Sequence, residues 1–465
     1  MKYNFNNTTQ YIKYLKSLNF LIVGFTEKTG LSAAFFFEKY NIKYSISDNK
    51  SEKQIRSILN KKIKKFNFPV KIFSGKQELN QLDNIQAILL SSGVPRSLDI
   101  IKRANRIKIP VFNDVDLIYP FIKKKKIIGV TGTDGKTTTV SLLYHVLSNK
   151  YKTLLAGNVG NPILFNIDKI NEYEVIILEL SSYMLEDLKM LRLNISIITN
   201  IAEDHLDRYK NINQYAKTKY NILKYGTNND YFIKNLDDKY LNKLEKYQLK
   251  TIKISIKKNA DAYYLNDLFH YKNLKFKFSD CKINGVHNIY NILFVIVTAK
   301  ILRIQNTIIK NSIISFPGLP HRLEFVREYN SVKYFNDSKA TTIQAMTKAI
   351  ESFNKNIILM VGGQDKGLNF KLLLKKIEKI KYIVFFGQDG NKIKSQIKKK
   401  SKDTSINKKI SSFKYKKKFD VAVKFCVEIA KPNDVVLLSP GCTSWDEFLN
   451  YEERGNKFKS IVNDL

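Results

Sequence analysis

The stretch GVTGTDGKTTT, Gly129–Thr139, carries the strongest fold signal in the chain. An apolar run precedes it and predicts a strand, and VSLLYHVL follows it with apolar residues at helical spacing. A strand, a glycine-rich turn and a helix N-terminus together surround the phosphates of a nucleotide with backbone N–H groups. We therefore expect Lys136 to contact the terminal phosphates and Thr137 to offer a hydroxyl to Mg²⁺. The motif usually has a glycine where this chain has Val130, and Gly132 lies inside the loop instead, so the loop belongs to a particular subtype.

Length and composition predict a multidomain globular protein. The chain has 465 residues, 44% of them hydrophobic, which is too long for one core and too apolar for extensive disorder. No apolar run reaches membrane-spanning length, and MKYNFNNTTQ lacks the layout of a secretion signal. Three cysteines, Cys281, Cys426 and Cys442, share no disulfide or metal-ligand spacing. We expect a cytoplasmic protein with no membrane partner.

The net charge of +37 raises the question of nucleic-acid binding. The excess is mostly lysine, spread along the chain beside Ile, Asn, Phe and Tyr, and a genome with AT-rich codons explains that mixture. No basic cluster is interleaved with stacking aromatics. We therefore expect no nucleic-acid partner. The alternative from a different functional class is a basic P-loop NTPase that acts on nucleic acid.

Three α/β blocks follow one another, and each alternates strand-like and helical runs. The predicted domains are a Rossmann-like N-terminal domain (1–120), a central P-loop ATPase-like domain with a parallel sheet (121–318) and a Rossmann-like C-terminal domain (319–465). Strands are expected at 20–25, 44–48 and 87–92, at 175–180 and 195–201, and in VKYFND, NIILMVGG, YIVFFG and DVVLLSP.

Polar residues at predicted strand ends suggest sites. Glu179 ends the strand VIILEL, where it is either a Mg²⁺ ligand beside the phosphate loop or one half of a structural ion pair. NIAEDHLDRY packs His205 among carboxylates and Arg208, and some of these groups must be capping or ion-pairing residues. In the first block, Asp48 ends the predicted strand 44–48. This residue and GFTEKTG indicate either a nucleotide-type pocket or a plain structural turn.

Together, these strings resemble the Mur ligases of bacterial cell-wall synthesis. The resemblance covers the central and C-terminal blocks in order and the N-terminal block more loosely. It rests on GVTGTDGKTTT, LELSSYMLE, NIAEDHLDRY, GVHNIYN, GLPHRLE, YFNDSKATT and LLSPGCTSWDEF. NDSKAT after GLPHR is similar to the branch of the family that adds D-glutamate. The resemblance implies an ATP-dependent ligase that joins D-glutamate to UDP-N-acetylmuramoyl-L-alanine through an acyl phosphate, in peptidoglycan precursor synthesis, and that acts as a monomer.

The resemblance also implies a nucleotide and metal site. Lys136, His205 and Lys219 would be the catalytic residues, and Lys219 would be carbamylated by CO₂, because an ammonium cannot ligate Mg²⁺ whereas a carbamate is a carboxylate. Lys217 is the other lysine considered, and spacing favours Lys219. Two Mg²⁺ ions would be held by Thr137, Glu179, His205 and the Lys219 carbamate. The residues implied to bind ATP are Gly132, Thr133, Asp134, Gly135, Lys136, Thr137, Thr138, Asn288, Asn291, Arg322, Asp337 and Lys339.

Substrate contacts are implied in all three blocks. Those for the UDP-linked substrate are Asp48, Thr29, Asn158, Ser181 and His205, and those for D-glutamate are Thr341, Lys366, Ser444 and Tyr451. A related ligase of another amino acid, from another Mur step or of the folylpolyglutamate type, would share the phosphate loop. NDSKATT and the region of Ser444 favour D-glutamate over these.

Overall fold

Three β-sheets organise the chain in the computed structural model, which describes residues 5–186, 188–205, 208–244, 247–364, 371–400 and 413–465. The described residues form two compact units. One contains everything up to Cys281 together with His287–Ser315, and holds two of the sheets. The other contains Lys282–Val286 and Phe316–Leu465, and holds the third.

The first sheet has five strands, all parallel, in the order β3-β2-β1-β4-β5. Its strands are β1 (Asn19–Val23), β2 (Lys43–Asp48), β3 (Ile72–Ser74), β4 (Ala87–Leu90) and β5 (Val111–Phe112). The helices along it are α1 (Thr8–Lys16), α2 (Thr29–Lys39), α3 (Glu52–Leu59), α4 (Asp99–Arg106) and α5 (Asp114–Ile122). β4 is buried along its whole length, as expected of a strand covered on both faces.

The second sheet has nine strands in the order β14-β13-β12-β11-β10-β9-β6-β8-β7. Those up to β12 pair in parallel, and β13 and β14 add an antiparallel hairpin. The strands are β6 (Lys126–Thr131), β7 (Thr153–Gly157), β8 (Val175–Glu179), β9 (Ile195–Ile198), β10 (Tyr231–Asn235), β11 (Lys250–Ser255), β12 (Ala262–Leu265), β13 (Leu268–Tyr271) and β14 (Leu274–Lys277). The helices are α6 (Lys136–Leu147), α7 (Ser182–Leu185), α8 (Ile212–Tyr220), α9 (Lys239–Asn242), α10 (Val286–Ile301) and α11 (Asn306–Ser315).

The third sheet has six strands in the order β15-β16-β20-β17-β18-β19, and only the β15–β16 pair is antiparallel. Its strands are β15 (Glu324–Tyr329), β16 (Val332–Asn336), β17 (Ile357–Gly362), β18 (Ile380–Phe386), β19 (Phe413–Lys416) and β20 (Val435–Gly441). The helices are α12 (Ile343–Glu351), α13 (Lys371–Leu374), α14 (Gly390–Lys400), α15 (Phe419–Ile429) and α16 (Tyr451–Asn463).

The predicted α/β class and the predicted strands are therefore confirmed, whereas the domain boundaries at 120 and 318 stay predictions. In the described part of the chain, no helix is both long enough and apolar enough to span a bilayer. β6 lies between β8 and β9, so the segments that follow these three strands meet at one edge of the second sheet.

Candidate active site

The phosphate loop joins β6 to α6, and two glycines form its turn. Gly132 (φ 143°) and Gly135 (φ 81°) lie in the left-handed region that residues with a side chain disfavour. A Cβ at Gly132 would overlap the Thr199 hydroxyl, and one at Gly135 would lie 2.6 Å from Asn291 Oδ1. Gly135, the N-cap of α6, has no side chain to cap the helix, and the N-terminus of a helix favours an anion. The loop therefore has the backbone of a phosphate site.

Hydrogen bonds hold this loop against the segment that follows β9. Lys136 Nζ donates to Gly132 O and to Thr133 O, both at 2.8 Å. Thr133 Oγ1 donates to Ala202 O at 3.2 Å and accepts from Ala202 N at 3.0 Å. Asp134 N donates to the side chain of Asn200 at 3.0 Å. The loop is thus shaped before any phosphate arrives, and the two remaining predicted residues, Thr137 and Thr138, lie in the first turn of α6.

Glu179 ends β8, the neighbour of β6, and its side chain is 1% exposed. Its Oε1 accepts a hydrogen bond from Asn158 Nδ2 at 2.8 Å. Its Oε2 is buried without any hydrogen-bond donor among the described residues. A buried oxygen with no donor is costly unless a cation or another group satisfies it, so this carboxylate fits a Mg²⁺ ligand better than a structural ion pair. Asn158, which is predicted to contact the substrate, thus also orients the Glu179 carboxylate.

The described side chains alone do not supply a full set of metal ligands. In the described ranges, no group of three His, Cys, Asp or Glu side chains converges on one point. Such a small number of protein ligands suits Mg²⁺, which commonly binds one or two carboxylates and completes its coordination shell with phosphate and water oxygens. Ser181, the other predicted residue beside Glu179, caps α7 by accepting from Met184 N at 3.3 Å.

His205 follows β9 in a left-handed backbone conformation, with φ 53°. Its Nδ1 lies 2.8 Å from the hydroxyl of Tyr183, and its Nε2 lies 3.4 Å from Asp204 Oδ2. The Tyr183 hydroxyl therefore fixes the orientation of the ring, as partners of metal-binding histidines usually do.

Lys219 lies in α8, which begins where Asn211 Oδ1 accepts from Gln214 N at 3.0 Å. The lysine is 1% exposed, and its Nζ donates to Gly132 O at 2.8 Å and lies 4.4 Å from the centre of the Tyr215 ring. Burial, reinforced by the nearby positive charge of Lys136, lowers the pKa of Lys219 well below its ordinary value. The neutral, nucleophilic amine is therefore more accessible in Lys219 than in an ordinary lysine. Lys217, the other lysine considered, is exposed.

Asn288 and Asn291 share a face of α10, as their spacing predicts, and both are buried. Asn291 Nδ2 donates to Asn288 Oδ1 at 2.9 Å, and Asn291 Oδ1 accepts from Thr139 Oγ1 at 3.1 Å. The pair is therefore tied to α6 directly behind the phosphate loop, a location suited to the base or ribose of a nucleotide whose phosphates bind that loop.

A separate cavity of about 650 Å³ opens at the carboxyl ends of β1 and β2. Asp48 is one of its lining residues, and its carboxylate accepts hydrogen bonds from Phe25 N, from Lys50 N at 2.9 Å and from Lys50 Nζ at 3.1 Å. Lys50 and Gln54 line the cavity although neither was predicted, whereas Thr29, the first residue of α2, is not among the described lining residues.

In the C-terminal unit, Asp337 follows β16 and is buried. It accepts hydrogen bonds from Ser439 Oγ at 2.8 Å and from Leu323 N at 3.1 Å, and burial raises its pKa to about 7. Arg322 and Lys339 are, like Asp337, predicted to bind ATP. Arg322 is exposed, and Lys339 Nζ lies 5.3 Å from the centre of the Tyr451 ring.

The residues predicted for D-glutamate are only partly described. Thr341 N donates to Lys339 O at 2.9 Å, and Ser444 is buried in the turn after β20. Tyr451 begins α16, and its hydroxyl donates to Glu452 Oε1 at 3.1 Å. Lys366 lies outside the described residues.

Matches to known families cover each of the three sheets. The Mur ligase middle domain matches residues 130–299, the glutamate ligase domain of the Mur ligases matches 321–442, and the MurD-like N-terminal domain of the Mur ligases matches 18–113. The chain belongs to the Mur ligase family. The predicted resemblance and the predicted ligase class are therefore confirmed.

Relatives of this Mur ligase extend over nearly its whole length. A Clostridioides difficile protein named UDP-N-acetylmuramoylalanine--D-glutamate ligase is 36% identical over 460 residues, covering 97% of this chain and 99% of that protein. A Geobacillus protein of the same name is 32% identical over 453 residues, covering 96% of this chain and 97% of that protein.

Solved Mur ligase structures share the fold at lower identity. The MurF ligase from Thermotoga maritima, solved in complex with ADP, has a TM-score of 0.58 at 16% identity and covers 90% of this chain and 95% of its own. The UDP-N-acetylmuramate-alanine ligase MurC of the same organism has a TM-score of 0.57 at 17% identity, covering 96% and 99%. At such identities the likeness concerns the fold alone.

The structure also reveals charged residues of this Mur ligase that the sequence patterns did not identify. Arg454 in α16 is fully buried, and Glu186 forms an ion pair with Arg208 near His205. Arg208 and Glu186 stand in the quoted motifs, but nothing in the motifs says that they meet. Arg454 stands in the largely polar string YEERGNKF, and nothing in that string indicates that its side chain is buried.

Proposed function

We propose that the chain catalyses the ATP-dependent addition of D-glutamate to UDP-N-acetylmuramoyl-L-alanine, through an acyl phosphate, in peptidoglycan precursor synthesis. The observation that carries the chemistry is the buried, donor-free Oε2 of Glu179 beside a loop built for phosphate. The choice of amino acid is supported by relatives that bear the name of the D-glutamate ligase over nearly the full chain.

The reaction needs activation because a carboxylate has no leaving group. The carboxylate of the UDP-linked substrate attacks the γ-phosphorus of ATP, the bond to ADP breaks, and an acyl phosphate forms. The amine of D-glutamate then attacks the acyl carbon, phosphate leaves with the electron pair, and the amine loses a proton. In this scheme Lys136 and the first N–H groups of α6 stabilise the charge on the phosphates, and positioning supplies most of the rate enhancement.

The residues present fit Mg²⁺. Glu179 Oε2 and the Thr137 hydroxyl would hold one ion, which supplies positive charge at the phosphates. His205 would hold a second, together with a carbamate on Lys219. A neutral lysine amine adds to CO₂ to give the carbamate and one proton, and the lowered pKa of Lys219 supports this step because it makes the neutral amine available.

The remaining assignments are proposals of the same kind. Asn288 and Asn291 would contact the base, and Arg322, Asp337 and Lys339 would contact the rest of ATP. Thr341, Lys366, Ser444 and Tyr451 would bind D-glutamate. The cavity around Asp48 would take the UDP end of the other substrate, with Thr29, Asn158 and Ser181 as further contacts. A cytoplasmic monomer of three domains remains our expectation.

A phosphate-release assay tests the proposal. With Mg²⁺, ATP, UDP-N-acetylmuramoyl-L-alanine and D-glutamate, we expect stoichiometric phosphate and amide product. Leaving out either substrate, or replacing D-glutamate by L-glutamate or by a diamino acid, should stop both. A Lys136→Ala variant should be folded and inactive.

Two results would overturn the proposal, and each identifies a rival. Turnover with another amino acid would assign the chain to a different step of the family. Phosphate release stimulated by DNA or RNA, without either ligase substrate, would favour the nucleic-acid NTPase that the net charge first suggested.

A further inference from the structure

A cluster of charged and aromatic side chains contacts both the wall of the cavity at Asp48 and the residue His205. Glu186 is its centre. Arg208 Nε donates to Glu186 Oε1 at 2.9 Å and Arg208 Nη2 to Oε2 at 2.7 Å, a bidentate pair whose side chains are each 13% exposed. Tyr209 Oη donates to Glu186 Oε1 at 2.8 Å, and Arg96 Nε lies 3.3 Å from Oε2. One carboxylate thus holds two arginines in place.

The first arginine of this Glu186 cluster reaches the wall of the cavity. Arg208 Nη2 donates to Val94 O at 3.2 Å, and Nη1 to Ser92 O at 3.5 Å. Val94 and its neighbour Gly93 line the cavity of about 650 Å³. Arg96 Nη1 also donates to Val94 O, at 3.2 Å. The turn after β4 is therefore fixed by two guanidinium groups that both depend on Glu186.

The same arginine also fixes His205. Arg208 N and Tyr209 N both donate to His205 O at 3.0 Å. The Arg208 guanidinium lies 4.2 Å from the centre of the Tyr183 ring, and the Tyr183 hydroxyl contacts His205 Nδ1 at 2.8 Å. The backbone and the ring of His205 are thus both linked to the residue that holds the cavity wall.

We propose that Glu186 and Arg208 are positioning residues that set the distance between the cavity for the UDP end of the substrate and the reacting centre at His205. This inference rests on the proposed function, in which one extended substrate occupies both places. A rigid spacing would let the enzyme bind the two ends of that substrate together, because a small error in spacing weakens binding of a ligand that spans both sites.

The test is steady-state kinetics of Arg208→Lys and Glu186→Gln. Lysine keeps the charge but cannot form the bidentate pair, and glutamine keeps the shape but removes the charge. We expect the KM for UDP-N-acetylmuramoyl-L-alanine to rise about 10- to 100-fold, and the KM for D-glutamate to change less than about 2-fold. The double variant should be little worse than either single variant, because the two residues act as a unit. Isothermal titration of the UDP-linked substrate without ATP should show the same loss.

The chain offers a matched control in the same unit. Arg192 and Asp230 form another bidentate pair, with Nε to Oδ2 at 2.8 Å and Nη2 to Oδ1 at 3.2 Å, and neither residue lines the cavity or the phosphate loop. Arg192→Lys and Asp230→Asn should lower the melting temperature and leave the KM values of the folded enzyme unchanged.

The outcomes separate this inference from the proposed function. An inactive wild-type enzyme would refute the proposed function itself. An active wild type whose Glu186 and Arg208 variants keep their KM values, as the control pair should, would refute the positioning role alone, and so would variants that raise the KM values of all three substrates equally. If both variants fail to fold, Tyr209→Phe removes one hydrogen bond to Glu186, and a KM for the UDP-linked substrate that does not rise would then overturn the inference.

Discussion

Arg454 is the buried charge whose removal has the most predictable consequence. It is fully buried in α16, and its four donor contacts are Nε to Ser338 Oγ at 2.9 Å, Nη2 to Ser338 O at 2.8 Å, and Nη1 and Nη2 to Cys442 O at 3.3 Å each. Burial lowers its pKa to about 10. The guanidinium thus joins the loop after β16 to the turn after β20, and no carboxylate among the described residues forms a bidentate pair with it.

Replacing Arg454 by methionine keeps much of the volume and removes every donor. The two carbonyls, Ser338 O and Cys442 O, lose these donors, and a buried acceptor without a partner costs about 1–3 kcal/mol. Relief of the buried charge offsets part of this cost. We expect a net loss of about 2–4 kcal/mol, which corresponds to a fall of roughly 4–16 °C in the melting temperature of a unit of this size.

Urea unfolding followed by tryptophan fluorescence measures the free energy of unfolding of the C-terminal unit, which contains Arg454. Trp445 is the single tryptophan of the chain and lies in the C-terminal unit. Lys457→Met is the control, because Lys457 lies on the same helix with about half of its side chain exposed, 3.5 Å from Asp420 Oδ2. It should change stability by less than about 0.5 kcal/mol. An Arg454→Met variant no less stable than this control would refute the reasoning, since the buried carbonyls would then have no need of the guanidinium.

Three further predictions concern the phosphate site. Gly132→Ala should abolish ATP binding in calorimetry because the added Cβ would overlap the Thr199 hydroxyl. Gly75→Ala is the control, since Gly75 also has a positive φ, 92°, but an added Cβ there would have no atom within 4 Å, and this variant should bind ATP normally. Glu179→Gln should raise the Mg²⁺ concentration for half-maximal activity at least ~10-fold while circular dichroism stays unchanged; an unaltered Mg²⁺ dependence would contradict the ligand assignment. Lys219→Met should be inactive, no less stable than wild type, and partly reactivated by acetate, and full activity without acetate would exclude the carbamate.

Local sequence patterns predicted the elements that form from local interactions. The phosphate loop and its flanking strand and helix lie where Gly129–Thr139 placed them. The unusual Val130 is explained by the structure, because it is fully buried within β6 and the turn begins only after Thr131. The glycine that the turn needs is therefore Gly132.

The β12–β13 hairpin was readable but was not predicted. Its turn residues Asn266 and Asp267 have φ values of 48° and 63°, the conformation that two-residue hairpin turns require and that Asn and Asp tolerate. Short runs of apolar and aromatic residues flank this turn in AYYLNDLFHY. The signal was therefore present in the turn chemistry rather than in a long apolar run.

Pairings between distant residues could not be predicted. Arg454 lies 116 positions from Ser338, and Asn158 lies 21 positions from the Glu179 that it orients. Such partners depend on which strands become neighbours, and one sequence without its topology does not specify them. Charged residues in a motif are therefore easy to recognise, but the sequence alone does not tell whether each one contacts a ligand or another residue of the protein.

The contacts around Gly132 bear on the charge of the reacting centre. Lys136 Nζ and Lys219 Nζ both donate to Gly132 O at 2.8 Å, so two amines share one carbonyl. Burial and the nearby positive charge of Lys136 both disfavour the charged form of Lys219, and its pKa is lowered accordingly. In the proposed function, the carbamate on Lys219 would carry a negative charge and would, with Glu179, offset the charge of Mg²⁺, while Lys136 would contact the phosphates. The same burial that lowers the pKa of Lys219 thus supports the proposed carbamate.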